Sequence, residues 1–279
     1  MNAAAPAQPL PGARRWVSCA DDFAIDAGAV DAILELIARG RVTATSVLVD
    51  APLWPTAARQ LPLAPAGAMA DIGLHLNLTQ AFTRGAAGIW PLGELIWRCV
   101  TGRLARAPLA AAIARQFDAF EAQLDRPPDY IDGHQHVHLF PQVRDAALKV
   151  VAQAAPDAWV RQCGRPGSAR RLKDRKELLL DVLSVGFRRK ARQLGVATNP
   201  AFAGAYDFGG KAGYASLFPR FLAGLPDGGL VMCHPGFVDA ELKRLDPLTD
   251  QREREFAYFN SAEFPKLLAE SGISLAAPD

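Results

Sequence analysis

Cysteine is scarce in this chain. Four occur in 279 residues, at Cys19, Cys99, Cys163 and Cys233, with no CxxC pair and no zinc-ribbon spacing. That excludes a disulfide-framed module and a structural zinc module. Scattered cysteines in a chain of this length read as reduced, buried thiols, the pattern of a reducing compartment. Strong charge is also missing. The formal net charge is +2, so no global field calls for nucleic acid or an anionic membrane as partner. No uninterrupted apolar run approaches the roughly 20 residues of a membrane helix, so no integral membrane segment is expected. The stretch Met1 to Arg15 is rich in Ala and Pro and lacks the apolar run of a signal peptide. It reads as a disordered tail over 1–15, leaving 16–279 as a single domain that is soluble and cytoplasmic. There is no internal repeat.

Half of the residues are hydrophobic and 22% are charged, an ordinary globular composition. The length suits one large α/β domain. Strand-like runs alternate with helical ones. Strands are predicted at Trp16 to Cys19, Thr45 to Val49, Asp71 to Leu78, Tyr130 to Leu139, Ala158 to Gln162, Leu230 to Cys233 and Ile273 to Leu275. Helices are predicted at Ala27 to Arg39 with Gly40 as the stop, Leu109 to Leu124, Gln142 to Gln153, about Leu172 to Leu194, and from Ser261 as cap to about Glu270. Such alternation implies a mainly parallel sheet, and this many strands favours a distorted (β/α) barrel over an open sheet.

Histidine is rare, and its placement is informative. The five histidines are His75, His134, His136, His138 and His234, and each falls at or near the end of a predicted strand. The carboxyl ends of strands form the active-site face of a parallel barrel. Asp21 and Asp22 close the first strand. Two adjacent carboxylates repel unless a positive group sits beside them, and a metal ion held by one leaves the other for proton transfer. The competing reading is a pair of acids at a helix N-terminus. His75 alternates with apolar neighbours in Gly73-Leu74-His75-Leu76, which alone fits a satisfied core histidine as well as a ligand. In Asp132-Gly133-His134-Gln135-His136-Val137-His138, a strand would put three imidazoles on one face. They would rise by about 6.5 Å per pair, too far for one ion. One is therefore a candidate ligand, with the others beside it. His234 in Cys233-His234-Pro235-Gly236 is presented by a sharp turn and suits general acid work.

Together, Ala20-Asp21-Asp22-Phe23, Gly73-Leu74-His75-Leu76-Asn77-Leu78-Thr79, Asp132-Gly133-His134-Gln135-His136-Val137-His138-Leu139-Phe140-Pro141 and Met232-Cys233-His234-Pro235-Gly236-Phe237 resemble the YdjC-like carbohydrate deacetylases, which include chitooligosaccharide and hopanoid-biosynthesis-associated deacetylases. The resemblance runs in order from about Trp16 to Asp239. It implies a barrel of the glycoside hydrolase and deacetylase type, a divalent ion (Mg or Zn), and an N-acetylated sugar as substrate. On the matching positions it makes Asp22, His75 and His134 the ligands, Asp21 the general base and His234 a general acid. Asp132, His136, His138, Arg161 and Tyr206 are the surrounding candidates for orienting ligands or touching substrate. Two departures stand out: Ala24 and Gly133 occupy positions where the family often carries Gly and Ser.

The implied reaction is hydrolysis of a sugar N-acetyl group. The same ligand set leaves open another metal-dependent hydrolase, a phosphoesterase or cyclic-amide hydrolase, and a non-catalytic sugar-binding relative. A basic stretch (Arg165, Arg170, Arg171, Lys173, Arg175, Lys176, then Arg188, Arg189, Lys190 and Arg192) reads as a solvated helix face or as an anion site. Trp54, Trp90, Trp97, Tyr206 and Phe208 are either core residues or platforms for sugar rings. A homo-oligomer is compatible with the sequence.

Overall fold

The first strand outruns its apolar stretch. β1 spans Arg14–Phe23, is buried from Trp16 onward and carries both Asp21 and Asp22 inside it. Arg14 and Arg15, expected in the tail, open this strand. They pair with Ile273 and Ser274 of β8 (Ile273–Leu275). The computed structural model describes residues 12–61, 70–83, 86–167, 175–207 and 213–276. Residues 1–11 of the expected tail lie outside them.

Among the described residues the strands form one sheet. Its remaining members are β2 (Ala44–Val47), β3 (Asp71–Leu76), β4 (Tyr130–Gly133), β5 (Trp159–Val160), β6 (Phe202–Ala203) and β7 (Gly229–Cys233). The order is β5-β4-β3-β2-β1-β7-β6, and β8 pairs with β1 beyond β2. Every pairing is parallel. The two outer strands are tied to each other. Val160 bridges Thr198, and the Phe202 N–H donates to the Gly164 carbonyl at 3.0 Å. The sheet thus curls into the distorted (β/α) barrel that the alternation predicts, with an irregular seam at β5 and β6.

Helices α1 (Ala27–Ala38), α4 (Arg106–Leu124), α5 (Pro141–Ala154), α6 (Arg175–Gln193) and α10 (Glu263–Glu270) lie where the periodicity places them, within a few residues. Local chemistry sets their ends. The Asp26 side chain accepts from the Ala29 N–H at 2.9 Å to start α1, and Gly40 at φ 63° stops it. The short β6 and four helices are additions: α3 (Leu92–Val100), α7 (Tyr214–Leu222), α8 (Ala240–Leu245) and α9 (Asp250–Asn260). A single turn, α2 (Trp54–Ala57), follows β2.

The parallel register aligns the side chains that face the barrel interior. Ser46 pairs with Gly73, Gly73 with Tyr130, and His75 with Asp132. Gly73 is required here, because a Cβ would sit 2.4 Å from the Tyr130 ring. That close approach lets the Tyr130 hydroxyl reach Cys19 Sγ (3.0 Å) and Ser46 Oγ (2.9 Å) beneath Asp21.

Candidate active site

Period two along β1 would send Asp21 and Asp22 to opposite faces. The backbone turns at this point. Asp22 takes φ 66° and Ala24 φ 75°, so both carboxylates face the buried cluster at the carboxyl ends of the strands. β3 contributes His75 and β4 contributes Asp132. The expected strand through Leu139 ends at Gly133. The residues His134–Leu139 form a 3-10 segment with Gln135 and His136 in the left-handed region (φ 53° and 58°). The alternation of the three histidines therefore does not apply, and each goes to a separate place.

Asp22, His75 and His134 converge. One potential ligand atom from each lies within 4.8 Å of the others, and all three residues are buried. Asp22 Oδ1 is 2.8 Å from His134 Nδ1 and 3.3 Å from His75 Nε2. The other nitrogen of His75, Nδ1, pairs with Asp132 Oδ1 at 2.6 Å, which fixes the ring and turns Nε2 toward Asp22. The Ser46 hydroxyl donates to Asp132 Oδ2 at 2.5 Å. The residue that Asp132 orients is thus His75.

Asp21 belongs to a second set. Arg161 follows β5, is fully buried, and clamps Asp21 with both terminal nitrogens (2.7 and 2.5 Å). It also reaches Asp132 Oδ2 at 2.5 Å and Cys19 Sγ at 2.9 Å. Cys19, Asp21 and Asp132 could themselves surround a cation, and the Arg161 guanidinium occupies that place. His234 follows β7, with Nε2 4.0 Å from Asp21 Oδ2 and its backbone N–H donating to Glu255 Oε2 at 2.6 Å.

Electrostatics separates these groups. Burial alone would raise Asp21, but the paired Arg161 holds it well below the usual carboxylate range. Burial would likewise raise Asp22, and His134 with Arg252 holds it low. Burial opposes a charge on His75, yet Asp132, Asp22 and Asp21 together push it up to about 10. His234 is lowered, chiefly by burial. Burial raises Glu255 to about 7.

The donor set fits a divalent cation. Asp21, Asp22, Asp132 and Asp246 contact two guanidiniums, Arg161 and Arg252. The four carboxylates exceed the two arginines by two, and with no ion a proton on His75, pushed up to about 10, offsets part of that excess. Buried charge of that size must be matched, and a divalent ion on one carboxylate oxygen and two imidazole nitrogens matches it.

A protein-family model described as YdjC-like protein matches residues 16–270. The chain belongs to the YdjC-like family. A chitooligosaccharide deacetylase of Serratia marcescens is 32% identical over 238 residues, covering 80% of this chain and 82% of that one. Another, from Escherichia fergusonii, is 29% identical over 267 residues, covering 92% and 94%. A solved structure from Enterococcus faecalis V583, named as a candidate cellobiose-phosphate cleavage protein, superposes with a TM-score of 0.70 at 21% identity, over 95% of this chain and 98% of that one. It shares the fold.

The two departures from the family pattern have local consequences in this YdjC-like chain. Ala24 is buried in a left-handed conformation that glycine adopts more easily. Gly133 lies against His138, where a Cβ would sit 2.9 Å from Nδ1. His138 is fully buried, bonds the Arg161 carbonyl through Nε2 (2.8 Å) and packs edge-on against Phe187. Burial lowers it to about 4. It packs on Phe187 and braces the Arg161 backbone. His136 is half-buried, edge-on to Phe202 and 3.6 Å from Cys163 Sγ.

The aromatic candidates divide. Trp54 is buried on Phe120, while Trp97 is 49% exposed under the Arg103 guanidinium. Trp90 is half-buried against the core. Tyr206 donates to Glu255 Oε1 at 2.6 Å, so it touches the site through Glu255. Phe208 lies outside the described residues. In the basic stretch, Arg165 pairs with Glu177 and Asp181, and Arg188 donates to Gln162. These contacts tie the loop after β5 to α6. Arg170, Arg171 and Lys173 lie outside the described residues.

Sequence reasoning missed Ser46, Tyr130, Asp246, Arg252 and Glu255. For the last two a trace existed. Arg252, Glu255 and Phe259 recur at helical spacing on the buried face of α9, a face that the charge-rich string DQREREF disguises.

Proposed function

We propose that this chain is a metal-dependent carbohydrate deacetylase that hydrolyses the N-acetyl group of an amino sugar. One observation carries the reading: Asp22, His75 and His134 converge at a barrel mouth with an ionised carboxylate, Asp21, beside them. The relatives named chitooligosaccharide deacetylase support the substrate class. Asp22, His75 and His134 would hold the ion, with Mg and Zn both suited to the donor set. Such an ion supplies Lewis-acid polarisation of the scissile carbonyl and of the attacking water.

The chain's own residues do the rest. Arg161 keeps Asp21 ionised and aimed, so Asp21 accepts a proton from water as it attacks. The same pairing lowers its basicity, so the transfer depends on a water already acidified. His234 hands a proton to the departing sugar amine. Burial keeps it neutral at rest, and the proton that Asp21 takes from water, 4.0 Å away at Oδ2, is the one it passes on. Asp132 fixes His75 and is itself fixed by Ser46 and Arg161.

The test is acetate release from a panel of N-acetylated sugars, with the protein stripped of metal and then given Mg, Zn, Mn or Co. Metal-dependent acetate from one member supports the reading. A folded, metal-binding sample that releases none from any of them overturns it.

A further inference from the structure

Asp22 has two carboxylate oxygens, and they have different neighbours. Oδ1 faces His134 and His75. Oδ2 accepts from Arg252 Nη2 at 2.6 Å. Arg252 is fully buried and comes from α9, 230 residues along the chain. It is anchored on its other side as well. Nη2 also donates to Asp246 Oδ2 at 2.5 Å, and Nε donates to the Leu248 carbonyl at 3.0 Å. Its backbone carbonyl accepts from the Gly236 N–H at 3.3 Å, which ties the same residue to the His234-Pro235-Gly236 turn.

We propose that Arg252 is a positioning residue that restricts Asp22 to ligation through one oxygen. The inference rests on the reading of Asp22, His75 and His134 as ligands. A free carboxylate at this place could turn and offer both oxygens to an ion. Asp22 also stands on a left-handed backbone that the fold must hold in place. With Oδ2 engaged by a buried, doubly anchored guanidinium, only Oδ1 is left, and its direction is set. Arginine suits the task because Nη2, which serves both Asp22 and Asp246, is held in one rigid plane with Nε on the Leu248 carbonyl, where an ammonium would turn freely.

Charge alone predicts the opposite outcome when Arg252 is removed. Without the guanidinium, Asp22 and Asp246 would lie near each other uncompensated and would attract a cation more strongly. Positioning predicts weaker binding, because an outer partner that orients a ligand is typically worth about 10–100-fold in metal affinity. The sign of the change therefore separates the two.

The experiment uses the full chain, stripped of metal and titrated with Co(II), with affinity and the visible bands both recorded. Arg252→Met should weaken Co(II) binding by about 10–100-fold. Its bands should shift toward the weaker absorption of a higher coordination number, as the second Asp22 oxygen joins. Asp246→Asn keeps Arg252 but frees its outer anchor, so it should change both readouts in the same direction to a smaller extent. Arg252→Lys keeps the charge and should not rescue either. Unchanged or tighter binding with an unaltered spectrum in Arg252→Met would overturn the proposal, and so would full rescue by Arg252→Lys. If Arg252→Met does not fold, Asp246→Asn and Arg252→Lys decide by the same criteria. Cobalt binding without acetate release in the wild type would remove the deacetylase reading and leave this one standing. A wild type that takes up no cobalt would overturn this proposal along with the metal reading.

Discussion

The carboxyl ends of β1, β3 and β4 and the buried face of α9 meet at one cluster, but their residues arrive there differently. At the strand ends, Asp21, Asp22, His75, Asp132 and His134 sit within short motifs whose residue types announce chemistry. On α9, Arg252 and Glu255 sit in a string of charges that reads as a solvated helix. Both sets are buried and both make charge-assisted bonds of 2.5–2.8 Å. The strand ends provide groups that can meet an ion or a substrate. The helix provides groups that aim them. A motif identifies the first kind by composition, whereas the second kind becomes visible only when the helix is docked.

The contrast can be broken most severely at Asp21. Asp21→Asn should lower turnover by about 10²–10⁴-fold while leaving metal affinity nearly unchanged. His134→Ala should lose the ion as well, as equilibrium dialysis would register. An Asp21→Asn protein with full activity would remove Asp21 as the base.

Arg161 is the strand-side counterpart of Arg252. Arg161→Met strands two carboxylates, Asp21 and Asp132, in the interior. It should cost about 3–5 kcal/mol in a denaturant titration. A loss below about 1 kcal/mol, in the range of an exposed pair, would mean that water reaches the cluster.

Glu255 sharpens the helix side through pH. Its carboxyl is raised from 4.5 to about 7 by burial. In that window the folded protein holds the proton more tightly than the unfolded chain does. This contribution to stability is therefore fully present below about pH 4.5 and is lost as pH rises through 7. Glu255→Gln should flatten that part of the stability profile. The full span is on the order of 3 kcal/mol from the shift alone. A slope identical in the variant would exclude Glu255 as its source.

The smallest effect is expected at Ala24. A left-handed alanine costs about 1–2 kcal/mol, and glycine returns part of that as unfolded-chain entropy. Ala24→Gly should raise stability by up to about 1 kcal/mol without altering metal affinity, as thermal melts would show.

Much of this was legible beforehand, and the limits have physical causes. The alternation of β and α runs predicted the barrel because buried parallel strands and amphipathic helices have distinct periods. The short β6 carries only two residues, too few to show any period. The conformation of the histidine cluster departs from the strand expected through Leu139. A period-two string cannot reveal that Gln135 and His136 turn left-handed. That turn sends His138 into the core and leaves His134 at Asp22. Arg161 was among the candidates, but its pairing with Asp21, 140 residues away, was not readable from the sequence, and Arg252, 230 residues from Asp22, was not named at all.

Those separations bear on how the molecule assembles. β1 meets β8 through Arg14 and Ile273, and Asp22 meets its guanidinium only when α9 is in place. On a ribosome, the earliest residues of the centre would wait for nearly the whole described chain to be synthesised. Contacts this distant in sequence slow folding, because loop closure must precede them. A cation at the proposed Asp22, His75 and His134 site would then bind at the end of folding, as a lock on a finished barrel rather than a seed for it.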